Sequence, residues 1–352
     1  MSLKEKLRQG ISTCDQLFLD HRLLRTIKRG KAPNTISLDV SGTCNLRCTI
    51  CSLKDWYPVS ETKVVSDKVV ERVAAYAGHL KQISLQCNCE PLLNPQVHSI
   101  VRTLKQANPS SVVSFVTNGT MLTRKRSEQL VKCGIDEIVV SLDGATEESY
   151  EDVRVGSHFH KVITNIRTFN EVRTASTGSK TRLGAIAVAT TTNLAELGTI
   201  MKLAISLGAE HFQVNGLEPY TKEQQSIIAY GYKPDTRAKA AFAELRILAK
   251  KHGIALTLPP LRLRSRRYCV RSMIAIDPDG NVFPCAQLSY KRPFLRDGEQ
   301  MMHPRICFGN LHDMSLESIV ASPEFTAHRD AVLKGHLPAY CKGCLVKDLV
   351  IC

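Results

Sequence analysis

The sequence predicts an α/β fold, in which a parallel sheet with helical crossovers gives way to a smaller unit rich in cysteine. Three observations predict it. Strand-like segments alternate with helix-like ones six times from residue 35 onward, glycines stand where helices should end, and after about Pro219 the alternation stops. Repeated β–α alternation is the mark of a parallel sheet, since each parallel strand needs a crossover and a helix to cover the sheet face.

Taken in order, the first 34 residues read as a short helical extension, with Leu17, Phe18, Leu23 and Leu24 available for docking. The predicted strands are Thr35–Val40, Gln82–Gln86, Val112–Val116, Glu137–Ser141, Leu183–Ala189 and His211–Asn215. Helical apolar spacing lies between them, at Val69, Val70, Val73, Ala74 and Ala77, at Val97, Ile100, Val101 and Leu104, and at Leu194, Leu197, Ile200, Leu203 and Ala204. Gly134 and Gly208 sit where left-handed C-terminal caps belong. Six strands are too few for a closed eight-stranded barrel, which leaves an open partial barrel or a doubly wound sheet. A helix is predicted over Arg237–His252, then Pro259-Pro260, an arginine-rich segment, and a hairpin at Asp277-Pro278-Asp279-Gly280. The expected domains are 1–34, a helical extension, 35–255, the barrel, and 256–352, a small cysteine domain. No internal repeat is visible.

Composition limits the function classes. The chain has 352 residues, 43% of them hydrophobic, enough for a sizeable core. No apolar run approaches the ~18 residues of a membrane span, and the charged start MSLKEKLRQG is unlike a signal peptide. The cytoplasm is therefore the expected location. Thirteen cysteines in a chain that is neither short nor secretory point to metal rather than to disulfides. The net charge of +14 suits an anionic partner or simply a solvated basic exterior.

Cys44, Cys48 and Cys51 form C-x3-C-x2-C directly after the first predicted strand. Three thiolates in one loop can hold three irons of a cubane cluster, which normally has four cysteine ligands. With no fourth cysteine near in sequence, one iron keeps an open position, as a catalytic metal requires. Zinc, or three buried cysteines along one helical face, are the rival readings.

This triplet resembles the defining motif of the radical S-adenosylmethionine (SAM) superfamily, and the resemblance runs from residue 35 to about 220. It implies a partial (β/α)6 TIM-like barrel, a catalytic SAM-bound 4Fe–4S cluster, and reductive cleavage of SAM to a 5′-deoxyadenosyl radical that abstracts hydrogen from the substrate. Further strand-end motifs carry it. Cys87-Asn88-Cys89-Glu90-Pro91-Leu92 looks like the family's glycine-rich segment, with cysteines in place of glycines. Thr117-Asn118-Gly119 and Ser141-Leu142-Asp143-Gly144 end strands three and four, with Arg154 a short helix later and Asn193 after strand five. By resemblance Glu90, Asn118, Ser141, Asp143, Arg154 and Asn193 bind SAM, with Arg154 on its carboxylate, as a guanidinium fork suits. Core packing is the plainer account of Cys87 and Cys89.

Cys269 and Cys285 frame the predicted hairpin, Cys341 and Cys344 form C-x2-C, and Cys352 follows. This spacing suits a tetrathiolate site for zinc or iron–sulfur. It resembles the SPASM and Twitch extensions of the same superfamily, a small β-hairpin/helix iron–sulfur domain, including Gly309-Asn310-Leu311 and the helix Ser315–Val320. The resemblance implies one auxiliary 4Fe–4S cluster on Cys269, Cys285, Cys341 and Cys344, with Cys307 and Cys352 as further ligands should a partial second form. Of the other cysteines, Cys14 and Cys133 read as packing, while Cys87, Cys89 and Cys307 are hydrogen-donor candidates. Arg262, Arg264, Arg266, Arg267 and Arg271 suit a substrate anion, an acidic electron donor, or a charged strand edge.

The expected substrate is a small polar molecule, such as a sugar, aminocyclitol or related metabolite, undergoing dehydrogenation or epimerisation. An external donor such as flavodoxin or ferredoxin would supply electrons. Maturation of a ribosomally made peptide is the alternative, although the short segment before the first strand leaves no room for a peptide-recognition domain. A zinc-containing nucleic-acid-binding protein is the third reading; aromatics at 6% give no stacking platform for it.

Overall fold

The structure, a computed structural model, describes residues 33–52, 63–86, 88–229, 235–260, 273–296 and 298–342. The N-terminal extension with Cys14, the arginines from 262 to 271, and Cys87, Cys269, Cys344 and Cys352 lie outside the described residues.

Six strands form in the predicted places: β1 Thr35–Leu38, β2 Gln82–Ser84, β3 Val112–Thr117, β4 Glu137–Ser141, β5 Arg182–Ala189 and β6 His211–Gly216. The first two stop two residues earlier than predicted, where the chain turns into the loops of the site. The strands are parallel and neighbour one another in sequence order. A doubly wound sheet reverses its order at a switch point. Unbroken order with right-handed crossovers keeps every helix on one side, and the sheet curls into a partial barrel.

The helices are α1 Asp67–Tyr76, α2 Val97–Ala107, α3 Arg124–Lys132, α4 Glu147–Val153, α5 Phe159–Ala175 and α6 Leu197–Ser206. Their predicted apolar faces are the buried ones: Val69, Val70 and Val73 of α1, and Val97, Ile100, Val101 and Leu104 of α2. They meet Ile36, Ile83, Val113 and Phe115 of the strands in one continuous core. Gly134 and Gly208 have φ of +79° and +88° beyond α3 and α6, as their caps require.

The sheet extends past six strands at both edges. After α7 Lys222–Ser226 and α8 Thr236–His252, β7 Ala255–Thr257 pairs parallel to β6. At the opposite edge β8 Met273–Ile276 pairs parallel to β1, with Thr35 opposite Met273. The predicted hairpin then turns at Gly280, φ +81°, into β9 Asn281–Phe283, and β12 Gly309–Asn310 adds to β9. The cysteine-bearing unit is therefore stitched to the first barrel strand. Between β9 and β12 a separate two-stranded ribbon, β10 Arg292–Arg296 and β11 Glu299–His303, reaches across the mouth of the barrel, and Leu295 N–H donates to Pro219 O beyond β6. The described residues end in α9 Leu316–Val320, α10 Pro323–Leu333 and α11 Ala339–Lys342. No helix among the described residues is long and apolar enough to cross a membrane.

Candidate active site

The cysteine triplet lies in irregular chain beyond β1, not along a helical face. Its backbone is laid against the end of α4: Arg47 N–H donates to Val155 O at 2.9 Å and Thr49 N–H to Val153 O at 3.0 Å. Gln224 of α7 holds the far side, donating to Thr49 O at 2.8 Å. Leu46, Cys48, Ile50 and Leu217 pack as a small apolar cluster, with Cys44 and Cys51 at its border. Burial pushes the Cys44 thiol up to about 11; the Leu46 N–H opposes this, and Glu90, Cys48 and Cys51 reinforce it. Burial also raises Cys48, against the pull of Arg154. Burial thus leaves Cys44 and Cys48 in need of a positive centre to ionise.

That donor set fits an iron–sulfur cluster. Asn118 Nδ2 donates to Cys44 Sγ at 3.8 Å and Arg154 Nη1 to Cys48 Sγ at 3.7 Å. Such N–H···S bonds favour thiolates and tune the potential of clusters held by them. Cys44, Cys48 and Cys51 would hold three irons and leave one for SAM.

The other predicted residues converge on the same strand ends, but several face protein. Glu90, fully buried, accepts from Leu92 N–H at 3.0 Å, Thr117 Oγ1 at 2.7 Å and Asn118 N–H at 2.8 Å. Burial raises its pKa, with these bonds opposing. Its side chain therefore braces the segment. Asn118 Nδ2 also donates to Asn45 Oδ1 at 2.9 Å. Asp143 Oδ2 pairs with Arg154, and Oδ1 accepts from Val188 N–H at 2.7 Å, so these two side chains are engaged with each other. Asn193 donates to the carbonyls of Asp143 and Val188 at 3.1 and 2.9 Å, tying strands four and five together. Ser141 is buried. Gly144 is required by close approach, because a Cβ there would lie 2.4 Å from Tyr150 N at the start of α4.

Of the hydrogen-donor candidates, Cys89 is buried within electrostatic reach of Asp39, Cys44, Cys51 and Glu90, and burial drives its thiol far up. Cys307 is exposed at the β9–β12 edge, 3.3 Å from Gly309 O. The auxiliary ligands Cys285 and Cys341 both act electrostatically on Tyr340, whose hydroxyl lies 2.8 Å from His328 Nδ1. Both of these thiols thus lie toward Tyr340, and the other two expected ligands lie outside the described residues.

One group escaped the sequence reading. Asp39, Asn88, Glu218 and Tyr220 at the barrel mouth meet Gln287, Tyr290, Arg292 and His303 from the β9–β11 region. Arg292 Nη1 donates to Ser52 Oγ at 2.9 Å and to Asn88 Oδ1 at 3.3 Å, its Nη2 bonds Gln287, and its guanidinium stands 5.2 Å from the Tyr220 ring centre. Glu218 Oε2 accepts from Tyr220 at 2.9 Å and Gln287 at 3.1 Å, and its Oε1 lies 3.5 Å from His303 Nε2. Burial would raise the Glu218 carboxyl, but the His303 and Arg292 interactions outweigh it and hold it low. Asp39 takes Asn88 N–H and Tyr290 hydroxyl, both at 3.0 Å. Only the place of Asn88 between two cysteines signalled this group in sequence.

The chain's similarities agree with this geometry. Residues 38–187 match the model of the radical SAM superfamily, and residues 268–345 match that of an iron–sulfur cluster-binding domain, SPASM. The chain is 26% identical over 321 residues to the tungsten-containing aldehyde ferredoxin oxidoreductase cofactor-modifying protein of Pyrococcus furiosus, covering 88% of this chain and 87% of that one. It is 26% identical to the AdoMet-dependent heme synthase of Methanosarcina barkeri, covering 73% and 78%. In fold it resembles Streptococcus suis SuiB bound to SAM, with a TM-score of 0.63 at 15% identity over 93% of this chain and 74% of that one. Native anSMEcpe with bound AdoMet gives 0.59 at 15% identity, over 90% and 87%. The chain thus carries a radical SAM domain and a C-terminal SPASM iron–sulfur domain, which make it a radical SAM enzyme with a catalytic 4Fe–4S cluster and SAM as cosubstrate.

Proposed function

We propose that this enzyme abstracts hydrogen from a small polar molecule, of the sugar, aminocyclitol or related-metabolite kind, seated between the cysteine loop and the SPASM-side ribbon, leading to dehydrogenation or epimerisation. The observation that carries this is the buried polar group around Arg292 and Glu218, which adjoins Cys51 through Ser52 and Cys89 through Asn88. Such a lining suits a compact hydrogen-bonding ligand. The names of the two long relatives, a cofactor-modifying protein and a heme synthase, agree with a substrate of metabolite size.

When bound, the cluster and SAM supply the radical chemistry. The chain's own residues do the rest. Cys44, Cys48 and Cys51 hold the cluster, Arg154 and Asn118 donate to two of those sulfurs, Glu90 and Asn193 brace the strand ends, and the β10–β11 ribbon covers the mouth and limits water. In this reading Cys269, Cys285, Cys341 and Cys344 hold the auxiliary cluster, a sink for the second electron of a dehydrogenation. The net charge of +14 suits a small acidic donor of the flavodoxin or ferredoxin type.

Peptide maturation is the second reading, and one observation favours it. Strand β11 is exposed along most of its length, including Met301 and Met302, and offers an edge to an extended chain. The deciding experiment incubates anaerobically reconstituted enzyme with SAM, reductant and either metabolite or peptide candidates. 5′-Deoxyadenosine that rises with a polar metabolite supports the first reading; a rise with peptides alone overturns it.

A further inference from the structure

In the polar group over the cysteine loop, four buried atoms lack a hydrogen-bond partner among the described residues. They are the Nε of Arg292, the Nδ2 of Asn88, the Oε1 of Glu218 and the Nε2 of His303, the last two facing each other at 3.5 Å. Arg292 is 3% exposed and Glu218 8%. A buried donor or acceptor left unmade is costly, and native proteins keep few of them. Their residues belong to one connected set: Arg292 bonds Asn88 directly, Gln287 bridges Arg292 to Glu218, and His303 faces Glu218.

The kind of atom left over specifies the ligand. Arg292 Nε and Asn88 Nδ2 can only donate, whereas Glu218 Oε1, as a carboxylate oxygen, can only accept and keeps lone-pair capacity beyond its long approach to His303 Nε2. A hydroxyl does both, accepting from the two donors while its own hydrogen goes to a carboxylate. A phosphate or carboxylate group only accepts, and would meet Glu218 unfavourably. The charges agree: Asp39 and Glu218 set two carboxylates against the one guanidinium of Arg292. An anion gains nothing from entering such a site.

We propose that Arg292, Asn88 and Glu218 form a hydroxyl-reading subsite, which selects an uncharged polyhydroxylated substrate and presents it to the cysteine loop. The proposal rests on the function proposed above and narrows its substrate. Ser52 and Asn88, both bonded by Arg292, are chain neighbours of Cys51 and Cys89, so a ligand held by Arg292 sits against the thiol side of the mouth. The subsite also spans the mouth, with Asn88 following β2, Glu218 following β6 and Arg292 opening β10. Only the assembled ribbon and barrel complete it.

The test is calorimetric titration of the anaerobic, SAM-loaded holoenzyme with myo-inositol, glucose and glucose 6-phosphate as probes. The wild type should bind a neutral polyol saturably and the phosphate ester no more tightly than glucose. Asn88→Asp keeps the Oδ1 acceptor for Arg292 and removes the free amide donor, and Arg292→Lys removes Nε while keeping the charge. Each should weaken polyol binding about tenfold to a hundredfold. The isosteric Asn88→Asp keeps the test available if Arg292→Lys does not accumulate. Absence of polyol binding, equal binding by wild type and variants, or the phosphate ester binding tenfold more tightly than glucose would overturn the subsite. Iron content and SAM cleavage by the wild type without any polyol are measured in parallel. Their failure would defeat the enzymatic reading, whereas their success beside unchanged polyol binding would defeat only the subsite.

Discussion

The pairing of Asp143 with Arg154 makes the sharpest energetic prediction. Asp143 is fully buried and the Arg154 side chain is only 13% exposed. Both oxygens of Asp143 are in use, one by Arg154 and the other by Val188 N–H. In Asp143→Asn a single carbonyl oxygen remains, and the new amide must point its hydrogens at one of those two donors. Removing one partner of a buried ion pair typically costs about 3–5 kcal/mol, because the remaining charge stays buried without compensation. The folded-to-unfolded ratio should therefore drop by about two to three and a half orders of magnitude. Replacing both residues by apolar ones of similar volume, Asp143→Leu with Arg154→Met, leaves no stranded charge and should cost clearly less than the sum of the two single changes. Urea denaturation of the apoprotein under anaerobic conditions measures all four members of the cycle. A loss below about 1 kcal/mol for Asp143→Asn, or simple additivity in the cycle, refutes the view that Asp143 balances the guanidinium beside Cys48.

Other outcomes follow from single contacts. Gly184→Ala would place a Cβ 1.9 Å from His211 Cε1, in the buried floor of the barrel, so it should exceed the usual overpacking cost of about 1–3 kcal/mol and lower the thermal midpoint. Burial, aided by Arg182, pushes the His211 imidazole down to about 4, and the ring stays neutral although Glu137 Oε1 is 3.4 Å away. With the unfolded value near 6.5, its contribution is complete above pH 6.5 and is lost as pH falls toward 4, up to roughly 3 kcal/mol. His211→Gln should flatten that acid limb in stability measured from pH 7 to 4. Alanine at Cys44, Cys48 or Cys51 should remove about four irons per chain and all 5′-deoxyadenosine formation. Alanine at Cys285 or Cys341 should remove auxiliary iron and keep the catalytic four, as iron and sulfide analysis would show.

The six barrel strands and the apolar faces of α1 and α2 were legible in sequence because period and capping are local. Glu137–Ser141 is a strand in both readings, and Val69, Val70 and Val73 are spaced for one face whatever they pack against. The strand-end residues could be gathered by motif, since each motif is a few residues of contiguous chain. Their partners were less legible. Motif placed Glu90 in the SAM-binding segment, but that its carboxylate caps this segment and accepts from Asn118 N–H was decided by the packing of strand two against strand three.

The sequence by itself therefore determined the cysteine triplet, the alternation of strand and helix, and the radical SAM class, because each is written within a short span of chain. Tertiary structure alone decided that β8 closes onto β1, that Asp143 holds Arg154 against Cys48, and that Arg292 reaches Ser52 across 240 positions. Pairings at such separation depend on which surfaces meet when loops close and side chains pack, and no local periodicity encodes that meeting.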